Sequence, residues 1–364
     1  MIKPMRTSFL FWQRNFMANR HGHVLHLCHD GQVGFGLVMD ASEINKFVAR
    51  HAGQDAILAP LDGDASARRY LRVSGDEEFI LMLLPEGETA HHQERLGLML
   101  QQAGLAAPYV RGISDDGRMM IMEDFGGDRV KEQVAQSPDH EPRIYQAALE
   151  AIPALHGVSM DGLEPYDVGM YRRETDLLLD WYLPAQNVPI SHSMFAEFHA
   201  ACDPIFWALS RVEPVFVHRD YHAENLFHLA GRQSPKNMGM IDFQDALAGH
   251  PIYDLMSLVT DARRDVDPDL GQKLMEDFVG RVSWDRDEFD AHYAMLSFQR
   301  NAKILGIFVR LAERDLKPRY LELLPRVGRF VADALEHDAL ADVRQWFDNY
   351  VDDWRGRIRL PLAP

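Results

Sequence analysis

The sequence predicts an α+β chain of two lobes, a small β-rich one followed by a larger, mostly helical one. Three observations predict this. Residues 56–123 hold short apolar runs of strand length separated by turn clusters. From residue 140 onward the apolar residues recur almost throughout at helical spacing. Between the two regimes stands Phe125-Gly126-Gly127-Asp128, whose glycines suit a hinge. With 364 residues, 46% of them hydrophobic, the chain can bury cores in both units.

The elements follow in order. Residues 1–38, with scattered His and Gly, read as a poorly ordered leader or as residues upstream of a start at Met39. His21, His23, His26 and His29 form no closed ligand set with the usual metal spacing. After Ser42, a residue type that caps helices, DASEINKFVARHAG has helical periodicity. AILAP, ARRYLRV and FILMLL are three strands, TAHHQERLGLMLQQAG is a helix closed by Gly104, and YVRGIS and RMMIMED are two more strands. These make a small lobe over residues 39–124. A large lobe over 125–345 holds helices in PRIYQAALEAIPALHGV, RETDLLLDWYLP, MFAEFHAACDPIFWALSRV, GQKLMEDFVGRV, DEFDAHYAMLSFQRNAKILGIFVRLAERD and PRYLELLPRVGRFVADALEHD. One β-loop-β insert interrupts them, VFVHRDYHAENLFHL followed by NMGMIDFQDA, and residues 346–364 read as a tail.

Charge and cysteine content exclude some partners. Lys plus Arg is 38 and Asp plus Glu is 55, a formal charge of −17. Such an acidic chain argues against nucleic acid or an anionic membrane as the partner. Two cysteines, Cys28 and Cys202, make neither a disulfide framework nor a metal motif, so a reducing cytoplasm is expected. No apolar run approaches the ~20 residues that span a bilayer.

The chemistry is concentrated in His218-Arg219-Asp220-Tyr221-His222-Ala223-Glu224-Asn225 and in Ile241-Asp242-Phe243. The pattern is H-x-D-x4-N, then D-F 17 residues after the Asn, each part preceded by an apolar strand. Phosphoryl transfer from ATP calls for such a set. One carboxylate takes the proton of the attacking hydroxyl, while a second carboxylate and an amide oxygen hold Mg²⁺ against the triphosphate. Upstream, Gly63-Asp64-Ala65-Ser66 is a turn in which Gly63 and Ser66 can bring backbone N–H groups to phosphate oxygens.

HRDYHAEN…IDFQDALAGHPIYDL resembles the aminoglycoside phosphotransferase and choline kinase superfamily, whose protein-kinase-like members phosphorylate small molecules. GDASARRYLRV, EEFILMLLPEGE, MEDFG, YDVGMYRRETDLLLDWYL, IDFQDALAGHPIYDL and QRNAKILGIFVRL, in the same order from about residue 40 to 335, are more specifically similar to the anomeric N-acetylmuramate/N-acetylglucosamine kinases. The resemblance implies a bilobal protein-kinase-like fold and ATP-dependent phosphorylation of the C1 hydroxyl of a cell-wall amino sugar in peptidoglycan recycling. It implies Asp220 as base, Asn225 and Asp242 as Mg²⁺ ligands, and His218 and Asp254 as braces of the catalytic loop. Asp254 also reads as an ordinary first-turn residue of a helix. The resemblance implies a cytoplasmic enzyme, expected as a monomer, with adenine against the hinge near Glu123.

Protein kinases place a Lys on the third strand to contact the phosphates. Here Met82 stands in that slot, and there is no Lys between Lys46 and Lys131. A cation is expected in its place from Arg68, Arg69 and Arg72, with Arg69 preferred; the alternative is that all three are solvated charges. Strand alternation puts Arg68 and Arg72 on one face and Arg69 on the other. Glu94 reads as surface. For the sugar, Glu174 is a candidate acceptor, with Arg172, Arg173, Trp181 and Tyr182 near it in sequence, against the plainer reading of a surface carboxylate and core aromatics. His222 is either a substrate contact or a packing residue. Arg300, with Lys303 one helical turn away, is a candidate cation for a lactyl carboxylate. Two other functions fit the sequence, a kinase for an aminoglycoside- or choline-like alcohol and a nucleotide-binding pseudokinase.

Overall fold

The computed structural model describes residues 39–61, 68–282 and 284–357; the expected leader, the Gly63–Ser66 turn and the end of the chain lie outside these residues. Helix α1 (Ala41–Ala52) starts from Asp40, not from Ser42: the Asp40 carboxylate accepts the Ser42 N–H at 2.8 Å. Strands β1 (Ile57–Pro60), β2 (Arg69–Ser74), β3 (Glu78–Leu83), β4 (Val110–Ile113) and β5 (Met119–Glu123) form one antiparallel sheet in the order β1-β2-β3-β5-β4. Helix α2 (His91–Gln102) lies between β3 and β4 in the chain.

Strand alternation gives this sheet two faces with different tasks. Leu71, Val73, Phe79, Leu81, Leu83, Met119 and Ile121 pack against Ile44, Phe47 and Val48 of α1. Tyr70, Ile80, Met82, Met120 and Met122 cluster on the opposite face. In the register, Tyr70 lies opposite Met82, and Met82 opposite Met120. Helix α2 joins the sheet to the rest of the molecule: its Leu96 and Leu100 belong to the large core, and Gly97 leaves room for the Phe243 ring.

The remainder is mainly helical: α3 (Val130–Gln136), α4 (Glu141–His156), α5 (Val168–Leu177), α6 (Leu183–Ala185), α7 (His192–Ser210), α8 (Tyr253–Val259), α9 (Pro268–Val282), α10 (Arg286–Glu313), α11 (Leu324–Leu335), α12 (Ala341–Tyr350) and α13 (Trp354–Arg357). Its strands are short. β6 (Val215–Val217) pairs with β9 (Leu247–Gly249), and β7 (Leu226–His228) with β8 (Met238–Met240). The expected insert is thus two separate ribbons, and Val215-Phe216-Val217 pairs with Leu247-Ala248-Gly249 rather than with Met238-Gly239-Met240.

The expected tail needs correction over 346–354. Trp346, Phe347, Val351 and Trp354 are all buried in the large core, and the Trp346 indole donates to the Met194 carbonyl at 2.9 Å. Aromatic residues at helical spacing carry α12 into the core, where their large apolar area outweighs the cost of ordering the chain.

Helix α10 is the axis of the large lobe, buried along most of its 28 residues. It crosses the end of α5 at Gly306, where an added Cβ would lie 2.1 Å from the Leu177 carbonyl oxygen. That contact is with rigid backbone, so Gly306→Ala is expected to lose about 3 kcal/mol of stability through overpacking. Gly280, on the exposed face of α9 with nothing within 4 Å, is the control, and its replacement by Ala is expected to gain about 0.5–1 kcal/mol. Denaturant unfolding of the two variants checks both signs.

Candidate active site

The site is built on the loop between β6 and β7. Asp254, buried in the first turn of α8, accepts the His218 N–H at 2.8 Å and the Arg219 N–H at 3.0 Å. Burial pushes the Asp254 carboxyl up to about 7, and those two backbone donors oppose the rise. The clamp matters because Arg219 has φ +73°, a region unfavourable for a residue with a Cβ. The His218 ring is buried edge-on to Tyr221 and Phe243, and burial lowers its pKa to about 4, so it is neutral packing at working pH. The two brace residues expected from the sequence are therefore both in the loop's foundation.

Past the brace, the loop folds on itself. The His222 N–H donates to the Asp220 carbonyl at 3.1 Å and the Asn225 N–H to the His222 carbonyl at 2.9 Å. The Asn225 side-chain Nδ2 donates to the Asp220 carbonyl at 3.0 Å, which leaves its Oδ1 for another partner. The Ile241 N–H donates to the Asn225 carbonyl at 3.0 Å, which fixes the D-F segment beside the loop. Asp242, with φ +65°, turns its carboxylate back so that Oδ2 lies 3.5 Å from Asn225 Nδ2. Asp220, Asn225 and Asp242 thus stand together on one loop and the segment beside it.

The two carboxylates differ electrically. Burial works against ionisation of Asp220, but His222, Lys303, Arg300 and Arg219 hold its carboxyl down to about 2. The Asp242 carboxyl is raised, first by desolvation and then by the negative charge of Asp220 and of Asp245; the Gln244 amide, 2.7 Å away, and Arg68 act the other way. A like-charge neighbour in a low-dielectric cleft is a cation site in waiting. Among the described residues no group of three or more His, Cys, Asp or Glu forms a metal cage. An Asp–Asn pair fits Mg²⁺ all the same, since that ion keeps waters and phosphate oxygens as its other ligands.

Glu174, on α5, is buried behind Asp220. Its carboxylate pairs with Arg219, with Lys303 Nζ at 3.2 Å and with Gln299 Nε2 at 3.1 Å, and it accepts from the Tyr166 hydroxyl. Burial disfavours its charge, but Lys303, Arg219, Tyr166 and Gln299 keep its pKa below the usual carboxylate range. Lys303 also donates to the Tyr253 hydroxyl at 3.3 Å. Arg300 is buried on the same helix and donates to the Thr260 carbonyl at 3.4 Å. His222 is buried with Nε2 3.3 Å from Arg263 Nη1, and Arg263 in turn pairs with Glu224 at 2.8 Å. Arg172 pairs with Asp203 away from the cleft, and Tyr182 is core.

On the sheet side, Met82 is fully buried on the cleft face. Glu123 closes β5, accepts the Tyr109 N–H at 3.2 Å and pairs with Arg232. Arg72 binds Asp124 at 2.6 Å and the Gly126 carbonyl at 3.3 Å, tying β2 to the hinge. Arg69 is exposed and opposite Leu83, on the other face from Arg68, Tyr70 and Arg72. Of the three arginines expected in place of the Lys, Arg68 stands on the cleft face, whereas the preferred Arg69 does not. Arg68 pairs with Glu88 at 3.0 Å and its charge acts on Asp242 across the cleft. The alternation of β2 carried that signal, because Arg68 shares a face with Tyr70, which lies opposite Met82. Glu94 stays at the surface, 3.6 Å from His91.

A model of the phosphotransferase enzyme (APH) family matches residues 57–292. The chain belongs to that family. The N-acetylmuramate/N-acetylglucosamine kinase of Caulobacter vibrioides is 32% identical to this phosphotransferase over 345 residues, 84% of this chain and 95% of that one. The enzyme of the same name from Pseudomonas aeruginosa is 30% identical over 302 residues, 79% of this chain and 87% of that one. Among solved structures, a choline/ethanolamine kinase family protein from Mesorhizobium loti superposes with a TM-score of 0.58 at 17% identity, covering 84% of this chain and 99% of that one. ADP-bound aminoglycoside phosphotransferase APH(2'')-Ib gives 0.55 at 15% identity, covering 80% and 97%. These structures share the fold, a five-stranded antiparallel sheet followed by a mostly helical region. Among the described residues no helix is long and apolar enough to cross a membrane.

With the Asp220 carboxyl held near 2, its ionisation leaves the working range untouched. The lowered pKa favours the folded state above the unfolded carboxylate value of ~3.9, and that contribution is lost only as pH falls through the folded value. A pH profile of kcat/KM is expected to show no limb from Asp220 between about pH 5 and 8; a limb in that range that disappears in Asp220→Asn would contradict this.

Proposed function

We propose that this phosphotransferase transfers the γ-phosphoryl group of ATP to the C1 hydroxyl of an amino sugar, N-acetylmuramate and/or N-acetylglucosamine, in the cytoplasmic recycling of cell-wall sugars. The observation that carries the chemistry is the convergence of Asp220, Asn225 and Asp242: the Asn225 amide donates to the Asp220 backbone carbonyl at 3.0 Å and lies 3.5 Å from the Asp242 carboxylate, and the two carboxylates have unlike electrical settings. The choice of acceptor is supported by relatives at 32% and 30% identity that match most of both chains.

In this reading adenine lies against the cleft face of Ile80, Met82, Met120 and Met122, beside the Glu123 end of the hinge. Asp242 and Asn225 Oδ1 would hold Mg²⁺, which would neutralise charge on the phosphate oxygens. Asp220 orients the sugar hydroxyl and accepts its proton. A hemiacetal hydroxyl is more acidic than a simple alcohol, so a carboxylate held near 2 serves as an orienting acceptor where a strong base is not needed.

The acceptor side is the buried cluster around Glu174. Glu174 keeps Arg219 and Lys303 beside Asp220, and a rearrangement of its donors on binding would let it meet a sugar hydroxyl. Arg300, bound to the Thr260 carbonyl at 3.4 Å, offers charge to an acidic sugar, and His222 is buried nearby. Asp220→Ala is expected to reduce turnover by about 10³-fold or more while ADP affinity, read by calorimetry, stays unchanged. Near-normal turnover in that variant refutes the role. Incubation with ATP, Mg²⁺ and a panel of amino sugars, amino alcohols and aminoglycosides identifies the acceptor. The expected product is an acid-labile sugar 1-phosphate, and an acid-stable phosphate ester would move the enzyme to another alcohol.

A further inference from the structure

The cleft face of the sheet lacks the lysine with which a third strand would meet a nucleotide's phosphates: Met82 fills that place, wholly buried. We propose that Arg68, held by Glu88, is the cation that binds the phosphate chain of the nucleotide, so that the charge enters from the second strand instead of the third. The proposal rests on the ATP reading above and adds a binding residue to it.

Four observations lead to Arg68. It precedes β2 on the same face as Tyr70 and Arg72, the face that looks into the cleft. Tyr70, two residues along on the same face, lies opposite Met82, so Arg68 borders the place of the missing lysine. Its partner Glu88, 3.0 Å away, stands just before α2, whereas Glu94 within α2 pairs only with His91 at the surface. Cation and carboxylate thus form an ion pair one strand away from Met82. The pair is partly exposed, with 21% of the Arg68 side chain accessible, which suits a cation fixed in direction yet open to an anionic ligand.

The neighbouring cations are committed elsewhere. Arg72 sits four residues along, ~13 Å by strand geometry, and is clasped by Asp124 and the Gly126 carbonyl at the hinge end. Arg69 faces away from the cleft. Arg219 is held by Glu174 and the Asp245 carbonyl, and Lys131 and Arg263 are held by Glu224. A guanidinium suits the task because its planar fork can grip two phosphate oxygens at once.

The test is calorimetric titration of the full chain with ATP, ADP and adenosine in the absence of sugar. Arg68→Ala is expected to weaken ATP and ADP binding at least tenfold and to leave adenosine binding unchanged. Arg68→Lys is expected to recover part of the loss, Glu88→Gln to show a smaller loss, and the exposed Arg111→Ala to bind as the wild type. Wild-type ATP affinity in Arg68→Ala overturns the proposal, as does an equal loss for adenosine, which would mark Arg68 as a packing residue only. A loss that appears in Arg69→Ala instead also overturns it. A wild-type chain that binds no nucleotide overturns both the ATP reading and the proposal. If the wild type binds ATP and no amino sugar is phosphorylated, the sugar assignment fails while the Arg68 result stands.

Discussion

One buried carboxylate determines whether the rest of the site can exist. Asp254 receives two consecutive backbone N–H groups, from His218 and Arg219, at the point where the chain must adopt a left-handed conformation to turn Asp220 into the cleft. Strain of ~1–3 kcal/mol at such a residue persists only where surrounding structure over-determines it. Here the determination comes from α8, fixed in the core by Tyr253, Leu255, Met256 and Leu258, and from the β6–β9 ribbon that delivers the loop. The loop's geometry is therefore supported by the large core as well as by its own internal hydrogen bonds.

From that anchor the electrostatics spread outward in two directions. Toward the acceptor side, Glu174 gathers Arg219, Lys303, Gln299 and Tyr166 into a closed network, and the cations of this network keep Asp220 ionised. Toward the sheet side, the Asp242 carboxyl is raised by desolvation and then by the negative charge of Asp220 and Asp245. The same cleft thus holds a carboxylate stabilised by protein cations and one disfavoured by burial and like charge. That asymmetry matches a reaction in which one carboxylate handles a hydroxyl and the other a metal–phosphate complex.

Much of this was legible in the sequence because the relevant signals are local. Strands and helices of the small lobe follow from alternation and from turn residues, and the spacing of Asp220, Asn225 and Asp242 reflects one loop and one strand connection. What was not legible depends on contacts distant in sequence. The pairing of Val215–Val217 with Leu247–Gly249 leaves no mark on either segment, since both are three-residue apolar runs. The burial of Trp346 and Trp354 depends on a groove made by α7 and α10. The donors around Glu174 come from three separate elements, so a count of its partners needed the fold. Arg68 was within reach of alternation alone, but choosing it over Arg69 required knowing which face of β2 meets the cleft, and that follows from α1 covering the other face.

The central claim is that Asn225 and Asp242 hold one divalent ion beside Asp220. Electron paramagnetic resonance of Mn²⁺ titrated into the protein with saturating ADP measures this directly. The account predicts tight Mn²⁺ binding in the wild type that is lost in Asp242→Asn and retained in Asp220→Asn. Equal Mn²⁺ affinity in wild type and Asp242→Asn would contradict it.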